Sequence, residues 1–276
     1  MNKKIGFILA LVLVSLLMVG TASAGLFDFL GGGNTANATA NDNSTFIVGF
    51  DAEFPPYGYQ DDNGSYTGFD LDLAKEVCER NNWTFKAQPI DWDAKDAELD
   101  SGSIDCIWNG FTIDGRENDY LWSNPYFDNK QIVVVKSDSG IKSLADLKGK
   151  TVETQKDSSA LAALEGDNKT IASTFSALNQ VADYNTAFMD LESGACDAVA
   201  MDIGVAEYDI GQKNNTSAFE ILSESITTEK YGIGFKKGNT ELKDQVQATL
   251  DEMFKDGTVL EIAQKYGISE DALIQP

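Results

Sequence analysis

The sequence predicts an α/β fold with largely parallel sheets. Three observations carry that expectation. From Phe46 onward, short apolar and β-branched runs alternate with stretches in which apolar residues recur at helical spacing. Three helical stretches stop at a glycine (Gly149, Gly194 and Gly257), a residue that takes the left-handed backbone of a helix end at little cost. Polar and aromatic clusters stand just after the apolar runs, where open α/β sheets gather their ligand sites.

The elements follow in order. Residues 46–50 read as a buried strand. Leu71, Ala74, Val77 and Cys78 repeat on one helical face, with Asp70 as a candidate N-cap. Residues 104–108 and 132–135 read as strands. Ser143 and Asp146 have capping-box spacing, opening a short helix that Gly149 ends. Val152 begins a strand, residues 158–165 read as a helix, and a further helix runs from about Thr186 to Gly194. Residues 197–201 and 231–235 read as strands. Leu242, Val246, Leu250 and Met253 line one face of a helix that ends at Gly257, and residues 259–266 form the last helix.

The N-terminus reads as an export signal. Lys3 and Lys4 precede an apolar run over 5–19, and Ala22-Ser23-Ala24 is a small-residue cleavage pattern. Residues 1–24 are therefore expected to be a signal peptide cleaved after Ala24. An uncleaved anchor is the alternative, although the run is shorter than the roughly 20 residues of a spanning helix. With no cysteine directly after the run, a lipid-modified cysteine anchor is not expected. Residues 25–45, rich in Gly, Asn, Thr and Ala, read as a flexible tether. N-x-S/T patterns start at Asn37 and Asn43 in this stretch, and at Asn63, Asn82, Asn168, Asn214 and Asn215 beyond it.

Composition excludes several functions. The formal net charge is −23, and loss of Lys3 and Lys4 would make it more negative. Such a chain is a poor partner for nucleic acid or an anionic membrane surface. There is no histidine, and Cys78, Cys106 and Cys196 have no C-x-x-C spacing, so neither a zinc site nor a cofactor is expected. Each cysteine sits in an apolar stretch and reads as a small buried hydrophobe, with a Cys78–Cys106 bridge left open.

Five clusters hold the candidate binding residues. Asp51, Glu53, Phe54 and Tyr57 form a proline-stiffened loop after the first strand, which is either a ligand loop or a structural turn. Trp92 lies in a second cluster. After the 104–108 strand come Asn109, Gly110, Thr112 and Arg116. Gly110 would let backbone approach a ligand closely, Thr112 offers a hydroxyl, and Arg116 a planar fork for a carboxylate. Arg80 sits late on a helix and reads as a surface or helix-dipole partner. Ser158 and Ser159 open a helix, where they either form an anion site or simply cap it. Asp202, at a strand end, could hold an ammonium group or cap the 203–211 segment.

The order of these motifs is more specific than any one of them. The strings 68–74 (GFDLDLA), 109–116 (NGFTIDGR), 123–126 (SNPY), 144–152 (LADLKGKTV), Ser158-Ser159, Asp197-Ala198-Val199 and 231–235 (YGIGF) resemble the amino-acid-binding family of extracytoplasmic solute-binding proteins that serve ABC importers. The resemblance covers about residues 46–267. It implies a two-lobed, type 2 periplasmic-binding-protein-like fold, each lobe a sheet flanked by helices. Lobe one would comprise 46–127 and 230–276 and lobe two 128–229, closing about two crossovers. It also implies roles. Arg116 would clamp the ligand carboxylate, helped by Thr112 and the Ser158/Ser159 helix start. Asp202 would take the α-ammonium, with a carbonyl of Asn109 or Gly110. Phe54 and Trp92 would sandwich the side chain, and Asp51 would meet its polar end. Two departures stand out: the stretch 112–116 is one residue shorter than in many relatives, with Gly115 as the residue to absorb it, and Asn109 stands where many have a small residue.

The function expected is therefore the non-enzymatic, extracytoplasmic binding component of an ABC importer. It would carry a polar, even cationic, amino acid to a membrane permease, as a monomer. Two alternatives remain: a sensor subunit working with a membrane receptor, and a periplasmic dehydratase on the same fold, for which the absent histidine removes the usual general base.

Overall fold

In the computed structural model of the chain, residues 44–275 are described. The expected signal peptide and all but the end of the expected tether lie outside them. Thr45, assigned to the tether from sequence, already belongs to the first strand and pairs with Thr84.

Two mixed sheets organise the chain. The first runs in the order Thr84–Pro89, Thr45–Phe50, Cys106–Ile107, Gly234–Phe235, Leu121–Trp122. Its first three strands are parallel and its last two antiparallel. In the second, Ala177–Val181, Thr151–Gln155 and Ala198–Asp202 are parallel, and the last pairs antiparallel with the long strand Phe127–Lys136. Phe219–Ile221 and Thr227–Tyr231 pair with opposite halves of that long strand. The sheets are thus only half parallel. The strands returning from one sheet to the other do so without a crossover helix, and a direct return leaves a strand antiparallel to its neighbour.

The central strands are where the apolar runs placed them, because a strand covered on both faces must be apolar at nearly every position. Val48, Phe50, Val134, Val135, Ala198, Val199 and Ala200 are fully buried. The edge strands Thr84–Pro89 and Ala177–Val181 were not legible, since half-exposed edges alternate with polar residues. The expected strand over 231–235 is two strands, Thr227–Tyr231 and Gly234–Phe235, because here the chain passes from the second sheet to the first. The strand expected over 104–108 narrows to Cys106–Ile107.

Helix ends follow the glycines. Gly194 and Gly257 both adopt left-handed backbone at the ends of Tyr184–Ser193 and Thr240–Asp256. The Ser143 capping box is present, but what it opens is a 3-10 turn, Leu144–Leu147, with Ser143 N–H donating to the Asp146 carboxylate. Asp70 is not an N-cap. The helix Phe69–Arg80 starts from Gly68, which has φ 140° and where a Cβ would stand 2.3 Å from the Tyr57 carbonyl oxygen. Asp70 lies inside the first turn, fully buried, with another task. All three cysteines are free and buried. Among the described residues no helix is long and apolar enough to cross a membrane.

Candidate ligand-binding site

The turns that follow the strand ends Phe50 and Ile107, together with the strand ends Gln155 and Asp202, enclose one small cavity of about 20 Å³. All ten residues given a ligand role by the resemblance line it, joined by Gln155 and Tyr184, while Glu53 and Tyr57 of the Asp51 loop do not.

One wall is built on Asp51, whose backbone N–H donates to Asn109 Oδ1 (2.8 Å). Its carboxylate accepts from Glu53 N–H (2.8 Å) and from Gln155 Nε2 (2.5 Å), the latter reaching from the second sheet. Burial pushes the Asp51 carboxyl up to about 6, against the two hydrogen bonds, which hold it down. Phe54 is buried against Tyr57 and Tyr184, with ring centroids 5.5 and 6.0 Å away. Trp92, on a 3-10 turn, meets Phe111 edge-on at 5.4 Å and has the Lys95 ammonium over its ring.

The next wall is the loop from Asn109 to Arg116. Gly110 has φ 54°, and a Cβ there would stand 2.8 Å from Phe54 and 3.0 Å from Tyr231. Its N–H donates to Asp70 Oδ2 (2.5 Å), while the Tyr126 hydroxyl donates to Asp70 Oδ1 (2.8 Å). Asp70 therefore anchors this loop from below. Its carboxyl is pushed up to about 7, mainly by burial. The short spacing before Arg116 is closed by a tight turn: Arg116 N–H donates to the Ile113 carbonyl (2.8 Å), with Gly115 left-handed at φ 82°. The guanidinium lies 5.4 Å from the centre of the Phe111 ring and donates to the carbonyls of Thr112 (3.4 Å) and Asp157 (3.1 Å).

The third wall comes from the second sheet. Ser158 is an ordinary N-cap, its hydroxyl accepting from Leu161 N–H (3.1 Å). Ser159 and Thr112 both donate their hydroxyl protons to Glu229, the latter over 2.9 Å. They therefore turn lone pairs to the cavity, which suits a cation and not the carboxylate expected from the resemblance. Asp202 stands at the N-cap position of Ile203–Gly211 but makes no side-chain cap. Its Oδ1 accepts from Asn129 Nδ2 (2.7 Å), Gln131 Nε2 (2.7 Å) and the Tyr231 hydroxyl (2.6 Å). One buried polar atom of the lining, Asn109 Nδ2, has no hydrogen-bond partner among the described residues.

Sequence reasoning missed Gln155, Tyr184, Asn129, Gln131 and Glu229. Gln155 stood in a strand-end cluster, a usable signal. The other four lie within a helix or strand, where nothing local separates them from structural residues.

The profile of the bacterial extracellular solute-binding proteins, family 3, matches residues 46–269. The chain belongs to this family. It shares 31% identity over 225 residues with the L-cystine-binding protein of Escherichia coli strain K12, covering 80% of this chain and 82% of that one. A Streptococcus pneumoniae ABC uptake transporter substrate-binding protein, solved with bound histidine, superposes with a TM-score of 0.80 at 35% identity, over 84% of this chain and 95% of that one. An ancestral arginine-binding protein solved with arginine gives 0.74 at 38%, over 81% and 98%. The fold is thus that of the type 2 periplasmic binding proteins, and the chain is a solute-binding protein, not an enzyme. The cavity is lined from both sheets. Lys95, almost fully buried, pairs with the Asp157 carboxylate, and Lys156 pairs with Asp93 at 2.8 Å, so the segment beside Trp92 is joined to the turn after the strand Thr151–Gln155.

Proposed function

We propose that this protein binds a polar amino acid outside the cytoplasm and delivers it, as a monomer, to the permease of an ABC importer. One observation carries the reading: a single cavity, walled by both sheets, holds the Arg116 guanidinium and the Asp202 carboxylate. A buried zwitterion needs one cationic fork and one anion, each replacing lost water. Arg116 takes the α-carboxylate. Asp202 takes the α-ammonium, with the lone pairs of Thr112 and Ser159 facing the same group. Phe54 and Trp92 cover the side chain, and Asp51 with Gln155 meets its polar end. Residues 46–127 with 230–276, and 128–229, act as the two closing lobes. The likeness to proteins that bind L-cystine, histidine and arginine supports an amino acid as cargo.

A calorimetric screen of the amino acids tests this, and failure of every one to bind would end the reading. Within it, Asp51→Ala is expected to weaken a ligand with a cationic or amide side chain more than alanine or glycine. The Asp51 contribution should be present above about pH 6 and fade as pH falls through that value, because the carboxyl is then protonated. Equal losses for all ligands would make Asp51 a support for its loop alone.

Export is the second part of the proposal. Cleavage after Ala24 predicts a mature N-terminus at Gly25, read by mass spectrometry of protein from the native host. An intact N-terminus in the membrane fraction would make residues 1–24 an anchor.

A further inference from the structure

Glu229 is not part of the cavity lining, yet it holds two groups that are, Thr112 and Ser159. It lies on Thr227–Tyr231 and is 4% exposed. Its Oε1 accepts from the Thr112 hydroxyl (2.9 Å), Asn129 Nδ2 (2.8 Å) and Gln131 Nε2 (2.8 Å), and its Oε2 accepts from the Ser159 hydroxyl. The same two amide nitrogens donate to Asp202 Oδ1, each over 2.7 Å. Two shared donors draw the carboxylates of Glu229 and Asp202 close together inside the protein.

The groups facing this pair are Thr112, Asn129, Gln131 and Ser159, together with the hydroxyl of Tyr231. The buried phenols of Tyr57 and Tyr184 add to these, both kept neutral by burial and by the Asp202 charge. None of these is cationic; the Arg116 guanidinium shares the cavity, but no lysine or arginine among the described residues, Arg116 included, forms an ion pair with either carboxylate. Like charges buried side by side make ionisation of both costly. Burial first, and Glu229 second, push the Asp202 carboxyl up to about 7.

We infer that Glu229 is a positioning residue of the ligand site, which fixes the Thr112 and Ser159 hydroxyls and makes Asp202 hold a proton until an ammonium group takes its place. This rests on the zwitterion reading above. The exchange balances: the cation enters, and one proton leaves to solvent. Above about pH 7 the ammonium binds without displacing a proton. As pH falls through that value, affinity drops by up to about tenfold per pH unit, because each binding event must release one.

Glu229→Gln tests the role. In the ligand-free full chain, carboxyl ¹³C NMR is expected to show Asp202 titrating near neutral in the parent and at a lower pH in the variant, where burial alone still holds it above an exposed carboxylate. With L-arginine and L-glutamine as probes, the variant's affinity–pH profile should shift at least about one pH unit to acid, and its affinity at alkaline pH should fall several-fold. An unchanged midpoint in the titration or in the profile overturns the inference, and a uniform loss at every pH would show a merely structural residue. Should the variant not fold, the proton count of the parent decides. Titration in two buffers of different ionisation enthalpy, at one pH below neutral and one above, should find a proton released per ligand at the lower pH and less at the higher, and none at either would overturn the inference. A parent that binds neither probe, yet whose Asp202 titration moves with Glu229→Gln, leaves Glu229 in its role and counts against the amino-acid reading instead.

Discussion

Arg116→Ala and Asp202→Ala are each expected to weaken amino-acid binding by at least about tenfold while the protein stays folded. Removing one partner of a buried charged contact leaves the ligand's own charge desolvated and unpaired, which costs about 2–5 kcal/mol. At about 1.4 kcal/mol per tenfold, the upper end is several-thousand-fold. The structure sharpens the expectation for each residue. Arg116 leans on the Phe111 ring and reaches backbone carbonyls, so no buried carboxylate of the protein loses its partner when the guanidinium goes. Asp202 accepts three hydrogen bonds, so its removal frees three donors and should also cost stability. Asp202→Asn separates the effects, since it keeps an acceptor and loses the charge. Arg80 is the control. It joins Glu76 (2.8 Å) on its own helix and Asp256 (2.7 Å) at the end of the helix Thr240–Asp256, away from the cavity. Arg80→Ala should leave affinity unchanged and cost at most about 1 kcal/mol of stability. Calorimetric titration with circular dichroism checks all four, and parent-like binding by Arg116→Ala would mean that the carboxylate is held elsewhere.

Phe111→Ala should be the most damaging single truncation near the site. Phe111 is fully buried and its ring meets Trp92, Tyr120 and Trp122 at 5.4, 5.0 and 4.8 Å. It lies between Gly110 and Thr112, so this aromatic cluster fixes where the binding loop stands. Truncating a buried phenylalanine costs about 3–5 kcal/mol. With about 2–4 °C lost per kcal/mol for a domain of this size, Tm should drop by roughly 6–20 °C. Affinity should fall as well, because Thr112 and Arg116 lose their support. Met189→Ala, at an apolar side chain 51% exposed, should change stability by no more than about 0.5 kcal/mol. Thermal denaturation of both variants, with and without ligand, checks the pair. A Phe111→Ala protein with parent Tm would show the cluster to be replaceable.

Much of this protein was determined by its sequence alone. The runs Phe46–Phe50 and Ile132–Val135 had to be central strands, since only a surface covered on both faces tolerates such continuous apolarity. Gly194 and Gly257 had to end helices, because the left-handed cap is a property of one residue. Ten of the twelve lining residues were legible for a related reason: each stands in or beside a turn or strand end, where an α/β sheet presents its side chains. Tertiary structure alone decided what several of them do. Asp70 reads as a cap locally, but it is the buried anchor of Gly110, 40 residues away. Asp51 meets Gln155 across 104 residues, and Thr112 meets Glu229 across 117. A cap or a helix stop is settled within a single turn of chain, so its residues announce it. The partners of a buried carboxylate are chosen by which strands two sheets bring together, and no local pattern around Glu229, Asn129 or Gln131 carries that information.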